Sequence, residues 1–232
     1  MTTAQQRKQL LLPLLFAGFA VLGTHSPILD TGLDVQVRPA PMTDAAIQAA
    51  ADRLLEEITK PGTDNQYFPR FARQQLDWIV RKVRQRRLSI ILLKDVSNTN
   101  LDAGALMGAG TVRGRQAIII AQPRLERLLR SMDPSGPSSR VKQKNDFMLG
   151  LVHEVVHLRN ANAGDPGNPA DRLGEELRAW HEVDIHVVRP LRKLHQPMDP
   201  TFLKVDDALL ACSDRRMCPA VRHIIFPGDG SR

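Results

Sequence analysis

Residues Phe147 to Leu158 (FMLGLVHEVVHL) constrain the fold of this chain more than any other stretch. Asn145 to Asn160 reads as a helix, and its Phe, Met, Leu and Val side chains leave no polar stripe around it. A helix that is apolar all round is buried on every side, so the rest of the chain must supply the elements that enclose it. Three ionisable residues interrupt this surface: His153, Glu154 and His157. Buried imidazoles beside a buried carboxylate are costly unless something compensates them.

Their spacing names the compensating partner. His153-Glu154-Val155-Val156-His157 is the pattern H-E-x-x-H. Positions four apart lie on one helix face, one turn above the other, so both imidazoles reach a single metal ion. Glu154 stands beside them, placed to take a proton from a water on that ion. The expected cofactor is Zn2+, which accepts a nitrogen and oxygen donor set and needs a third protein ligand with a position left open.

The helix that follows is expected to carry the third ligand. It runs from a cap at Asn168 to about Arg189, where Pro190 should end it, and it offers Glu175, Glu176 and Glu182. At about 100° per residue, Leu173, Trp180, Val183 and Val187 all fall within about 60° of Glu176. Glu176 is thus centred on the core-facing stripe, whereas Glu175 and Glu182 share the polar side with Arg178, His186 and Arg189. A lone carboxylate in mid-stripe is costly unless it binds something. Glu176 is therefore the expected ligand and Glu175 the second candidate. A salt bridge from Glu176 to an arginine such as Arg159 is the reading that needs no metal.

The remaining elements give an α+β fold, mainly helical with a small sheet and an active-site helix pair. The 232 residues, 42% hydrophobic and 25% charged, suffice for one domain with its own core. Aromatic residues make up only 4%, so that core rests on Leu, Ile, Val and Ala. Thr43 and Asp44 cap a helix that Pro61-Gly62 ends, and a second helix spans about Pro69 to Arg87. Leu88 to Leu93 and Gln116 to Ala121 read as strands. The glycines at 104, 108, 110 and 114 lack the frame of a phosphate loop and read as an irregular edge strand and turn. Pro123 opens a further helix, residues 133 to 140 read as a loop, and one short helix is expected around Asp206 to Ala211.

The N-terminus and the charge balance bear on location and partners. Arg7 and Lys8 precede the uncharged run Leu10 to Gly23, the layout of a secretory signal. Residues 1–23 are thus expected to be a signal peptide or N-terminal membrane anchor, 24–42 a linker, and 43–232 the functional domain, exported to the periplasm or another extracytoplasmic space. There Cys212 and Cys218 would be free to pair. With 32 Lys and Arg against 25 Asp and Glu, the net charge is +7, which permits anionic partners without choosing among them. The cluster Arg81, Lys82, Arg84, Arg86 and Arg87 reads as a solvated helix C-terminus. Nucleic acid is disfavoured, since no aromatic residues for base stacking are interleaved with it.

His153-Glu154-x-x-His157 followed by Glu176-x-x-Ala179 resembles the gluzincin class of metallopeptidases. The nearest pattern is that of the membrane-associated zinc peptidases similar to the CAAX prenyl protease. The resemblance covers about residues 98 to 190 and implies a zincin-like domain with Glu176 as zinc ligand. It also implies that the glycine-containing segment Asn100 to Ala121 is an edge strand over the cleft that pairs with the substrate backbone. Trp180 stands where that family has an Asp supporting a zinc-binding His, and Asp184, one turn on, is the available substitute. The multiple membrane spans of the family are absent. The implied activity is hydrolysis of a protein or peptide substrate with Glu154 as general base, and Tyr67, His181 and His186 are candidate donors to the oxyanion. Two rival readings stand beside it: a non-catalytic, metal-stabilised interaction module, in which His181 would close the coordination sphere, and a zinc hydrolase of a non-peptide amide.

Overall fold

The computed structural model describes residues 15–16, 42–60, 65–95, 100–101, 106–130, 137–160, 169–212 and 218–225. Apart from Leu15–Phe16, the expected signal or anchor lies outside the described residues, as does the linker apart from Met42. The strands are β1 (Leu15–Phe16), β2 (Leu88–Leu93), β3 (Asn100–Leu101), β4 (Met107–Val112) and β5 (Arg115–Ala121). The helices are α1 (Asp44–Thr59), α2 (Arg70–Arg84), α3 (Gln122–Arg130), α4 (Pro137–Asn160), α5 (Pro169–Val183), α6 (Arg189–Lys193), α7 (Pro200–Ala211) and α8 (Pro219–Ile225). A π-turn, Asp184–Val188, joins α5 to α6. No described helix is long and apolar enough to cross a membrane.

α4 is the axis of the fold. Its 24 residues make a rod about 36 Å long. It touches α1, α2 and α5 as well as β4 and β5. That enclosure explains why its sequence has no polar stripe: Phe147, Leu149, Leu151, Val152 and Val155 are fully buried on different sides of it. α1 and α2 supply Ile47, Leu54, Ile58, Ala72, Leu76 and Ile79 to the same core. Both helices are therefore integral to the domain core.

The three-stranded sheet has the order β2-β5-β4, with β2 parallel and β4 antiparallel to β5. As the central strand, β5 is a continuous apolar run, buried from Ala117 to Ala121. β4 and β5 close on the two-residue turn Arg113-Gly114, where both residues have positive φ (52° and 74°), the hairpin turn that suits the strand twist and favours Gly second. From Gly108 to Gly114 the glycine-rich stretch is thus the edge strand and turn expected of it; Gly104 lies outside the described residues.

Thr43 caps α1 as expected, its side chain accepting from the Ala46 amide. Four boundaries differ from the sequence reading. α4 begins at Pro137, so residues 137–140 are helix and not loop; proline at the first helical position loses no bond and presets φ. α2 ends at Arg84, because Arg86 turns the chain in the left-handed region (φ 57°). Pro190 does not end the α5 helix: the π-turn intervenes, the Arg189 amide bonds the Asp184 carbonyl, and Pro190 falls in the first turn of α6, where it costs little. The single helix expected near the C-terminus is two, α7 capped by Asp199 and α8, joined by a Cys212–Cys218 disulfide. The expected cap at Asn168 lies outside the described residues.

Gly150 lies where α4 packs tightly against Met107 of β4. A Cβ there would stand 3.0 Å from Met107 Sδ and 3.1 Å from its Cε. A methyl group displaces only the end of that flexible side chain, whereas a larger one pushes strand from helix. Gly150→Leu is expected to lower stability by about 1–3 kcal/mol in urea unfolding, and Gly150→Ala to cost less or nothing. Equal stability of the Leu variant and the wild type would show that β4 is not seated on α4 in this way.

Candidate metal centre

α4 and α5 pack side by side, and the packing joins the sequence-predicted residues. His153, His157 and Glu176 offer ligand atoms that all lie within 4.8 Å of one another, and all three side chains are buried. The Nε2 atoms of His153 and His157 are 3.0 Å apart. Glu176 Oε2 is 3.3 Å from His153 Nε2, and Glu176 Oε1 is 3.2 Å from His157 Nε2. Ligand atoms about 2.0–2.1 Å from a tetrahedral zinc ion are separated by about 3.3–3.4 Å. Three donors already spaced at nearly the edges of that tetrahedron fit a metal ion of this size, and no fourth His, Cys, Asp or Glu joins the group among the described residues.

The two candidate glutamates divide as periodicity indicates. Glu176 is 2% exposed, flanked on its face by buried Trp180, Val183 and Val187. Glu175 is partly exposed and reaches the other side of His157, with Oε1 3.4 Å from Nδ1. This is the position of an outer carboxylate that fixes ring orientation and leaves Nε2 for the ion. Arg159 does not pair with Glu176; its guanidinium donates to Gln75 Oε1 at 2.8 Å. Asp184 does not support a ligand histidine: its carboxylate is turned to Arg189 at 2.6 Å and to Asp206.

Electrostatics follow from burial. Burial alone would push the His157 pKa down, but the Glu176 and Glu175 carboxylates outweigh it and hold His157 well above the usual imidazole range. Burial and the neighbouring His157 charge push His153 down. Glu176 is held at about 2, the His157 and His153 rings overcoming the cost of burial. In the protein alone, then, the carboxylates favour the charged form of His157, whose Nε2 lies 3.0 Å from His153 Nε2 and 3.2 Å from Glu176 Oε1. Glu154 has no such partner. Burial pushes it up to about 8, against a lowering by His157. The Ala109 amide of β4 points toward its carboxyl group, although neither oxygen attains hydrogen-bond geometry.

The oxyanion candidates are not drawn to this centre as a group. Tyr67 donates to Asn145 Oδ1 at 3.0 Å, two turns of α4 before His153, and burial raises its pKa to about 12. His186 stacks on Phe71. His181 lies outside the three-ligand group. Sequence reading missed the Ala109 amide as a neighbour of Glu154; the alternation of glycines around it in a predicted edge strand was the available signal. No protein-family model matches the chain, and neither a curated protein nor a solved structure matches it.

The Glu154 shift has a definite sign. In the metal-free protein the unfolded carboxyl ionises near 4.5 and the folded one near 8, so unfolding between those values releases a proton and stability falls as pH rises through that window. Glu154→Gln removes the slope. The stability of the Gln variant relative to wild type, measured by urea unfolding with chelator present, is expected to grow from pH 5 to pH 8, by up to about 1.4 kcal/mol per pH unit. A difference that stays constant across this range would mean that Glu154 is not buried as described.

Proposed function

We propose that this chain is a zinc-dependent peptidase of gluzincin type, with His153, His157 and Glu176 holding the ion and Glu154 acting as general base. The observation that carries this reading is the open three-donor set, spaced as tetrahedral ligands, with a carboxylate beside it that is not a ligand. When bound, zinc supplies Lewis acidity, lowering the pKa of water and polarising a carbonyl. Glu154 accepts a proton and later returns it to the leaving amine. Glu175 orients His157. β4 is the edge of the three-stranded sheet beside Glu154; Met107 to Gly110 are buried and Thr111 is exposed, so an extended peptide substrate would pair from the Thr111 end.

Burial favours a second reading. His153, His157, Glu154 and Glu176 are each 3% exposed or less, which suits a metal-held structural module that never admits a substrate. The same variants separate the two. Wild-type protein is expected to hold one zinc per chain by elemental analysis, and His153→Ala, His157→Ala and Glu176→Ala to lose it. Glu154→Gln is expected to keep zinc and to lose about a hundred- to ten-thousand-fold in cleavage of an unfolded protein substrate. Zinc-loaded Glu154→Gln that cleaves as fast as wild type would end the peptidase mechanism. A zinc-holding wild type that cleaves nothing makes the structural module the better account.

The domain is proposed to act outside the cytoplasm. The basic start and apolar run of residues 1–23 support this, as does the Cys212–Cys218 disulfide, a bond that persists in oxidising compartments. Residues 1–40 fused to a reporter active only after export are expected to give signal. A stable but silent fusion would place the domain in the cytoplasm.

A further inference from the structure

Residues 70–87 contain seven Lys or Arg residues and one acid, Asp77. Read along the sequence, the end of this run is a solvated helix terminus. The fold adds to it. After α2, Leu88 opens β2 opposite Gln116 of β5, a register that brings Arg87 beside Arg115. The turn at Arg113-Gly114 projects from the same end of the sheet. Arg84, Arg86, Arg87, Arg113 and Arg115 are all exposed, and none is ion-paired among the described residues. At this end of the sheet stand seven basic residues, Arg81, Lys82, Arg84, Arg86, Arg87, Arg113 and Arg115, with no acid between residues 78 and 94.

We propose that this end of the sheet docks on an anionic phospholipid bilayer. Its guanidinium groups extend from a helix end and two chain reversals gathered at one end of the sheet, and guanidinium suits phosphate in bidentate geometry. Val83, 40% exposed among them, is tolerated in a headgroup layer. A nucleic acid would want aromatic platforms between the cations; the nearby Trp78 is half-buried and covered by Lys82, 5.5 Å from the ring centroid. The apolar run Leu10 to Gly23 gives the chain a second membrane-seeking feature, and stable attachment takes two. The docking end is tied to the metal centre, since Gln116 Nε2 donates to the Leu158 carbonyl at 3.1 Å, one residue after His157. A docked bilayer therefore lies toward the His157 end of α4.

The test is binding of the full chain to vesicles of phosphatidylcholine alone and of phosphatidylcholine with phosphatidylglycerol, at low and high salt. Any contribution of the N-terminal run is shared by both vesicles and cancels in their ratio. The wild type is expected to prefer the anionic vesicles, and added salt to erase the preference. Arg87→Gln and Arg115→Gln are each expected to reduce it about fivefold, and Arg115→Lys to keep it. Circular dichroism checks that each variant is folded. Equal binding to both vesicles, or folded Gln variants that retain the full preference, would overturn the proposal. Displacement from anionic vesicles by a DNA duplex at lower phosphate concentration would assign the surface to nucleic acid instead.

Discussion

The fold depends on one unfavourable arrangement: four ionisable side chains, His153, Glu154, His157 and Glu176, enclosed at the centre of an otherwise apolar contact between α4 and α5. Isolated charges in such a place cost several kcal/mol each. Packing offers no gain to set against that, because Leu or Val at these positions would fill the same space. The polar cluster lowers its own cost by sharing charge. The carboxylates of Glu176 and Glu175 favour a charged His157, while burial favours the neutral form of His153 and pushes Glu154 up to about 8 in the protein alone. A divalent ion would do the same task more completely. It would replace the His157 proton and draw Glu154 back toward the carboxylate form. The arrangement is a stability loss in search of a cation.

That constraint also explains what was legible in the sequence. The H-E-x-x-H pattern and the mid-stripe Glu176 were visible because helical periodicity carries burial, and an ionisable residue on a buried stripe stands out against it. Both placements hold in the structure. The distinction between Glu175 and Glu176 was legible for the same reason, one residue being a rotation of about 100°. The strands 88–93 and 116–121 were legible from short β-branched runs, and the edge strand between them from its glycines.

What was not legible depended on contacts distant in sequence. Pro137 opens α4 although its neighbours Ser135, Gly136, Ser138 and Ser139 read as loop; the decision is made by Asn145 and Asp146 further along. The Asn145 amide donates to the Pro197 carbonyl at 2.7 Å, and Asp146 Oδ1 accepts from the Asp199 amide at 2.7 Å, so the start of the buried helix is held by a segment some fifty residues later. Pro190 misled for a related reason. A proline ends a helix only if its missing amide and its ring cannot be accommodated. The π-turn before it widens the backbone by one residue and accommodates both. The role proposed from resemblance for Asp184 failed because a nearer partner exists.

That partner stands at the end of the helix that carries Glu176. Asp184 opens the π-turn and is 1% exposed; it meets Arg189 at 2.6 Å, and Arg189 in turn donates to Asp206 of α7 at 2.9 Å. Arg192 adds a second contact to Asp206 at 2.6 Å. Burial first and the neighbouring Asp206 carboxylate second push Asp184 up to about 7, while hydrogen bonds from Arg192, Asp184 and Arg189 hold Asp206 down against its own burial. The clamp therefore joins α5, α6 and α7 at the point where helical register changes by one residue. π-turns are costly in isolation and occur often beside functional sites. Here the extra residue lets Val183, Val187 and Val188 all face the core without rotating Trp180 and Glu176 away from α4. Removing the π-turn would shift the helix beyond it by about 100° or else twist Glu176 off His153. The Asp184–Arg189–Asp206 network, itself of little net stabilising value, ties the end of the helix that carries Glu176 to α6 and α7.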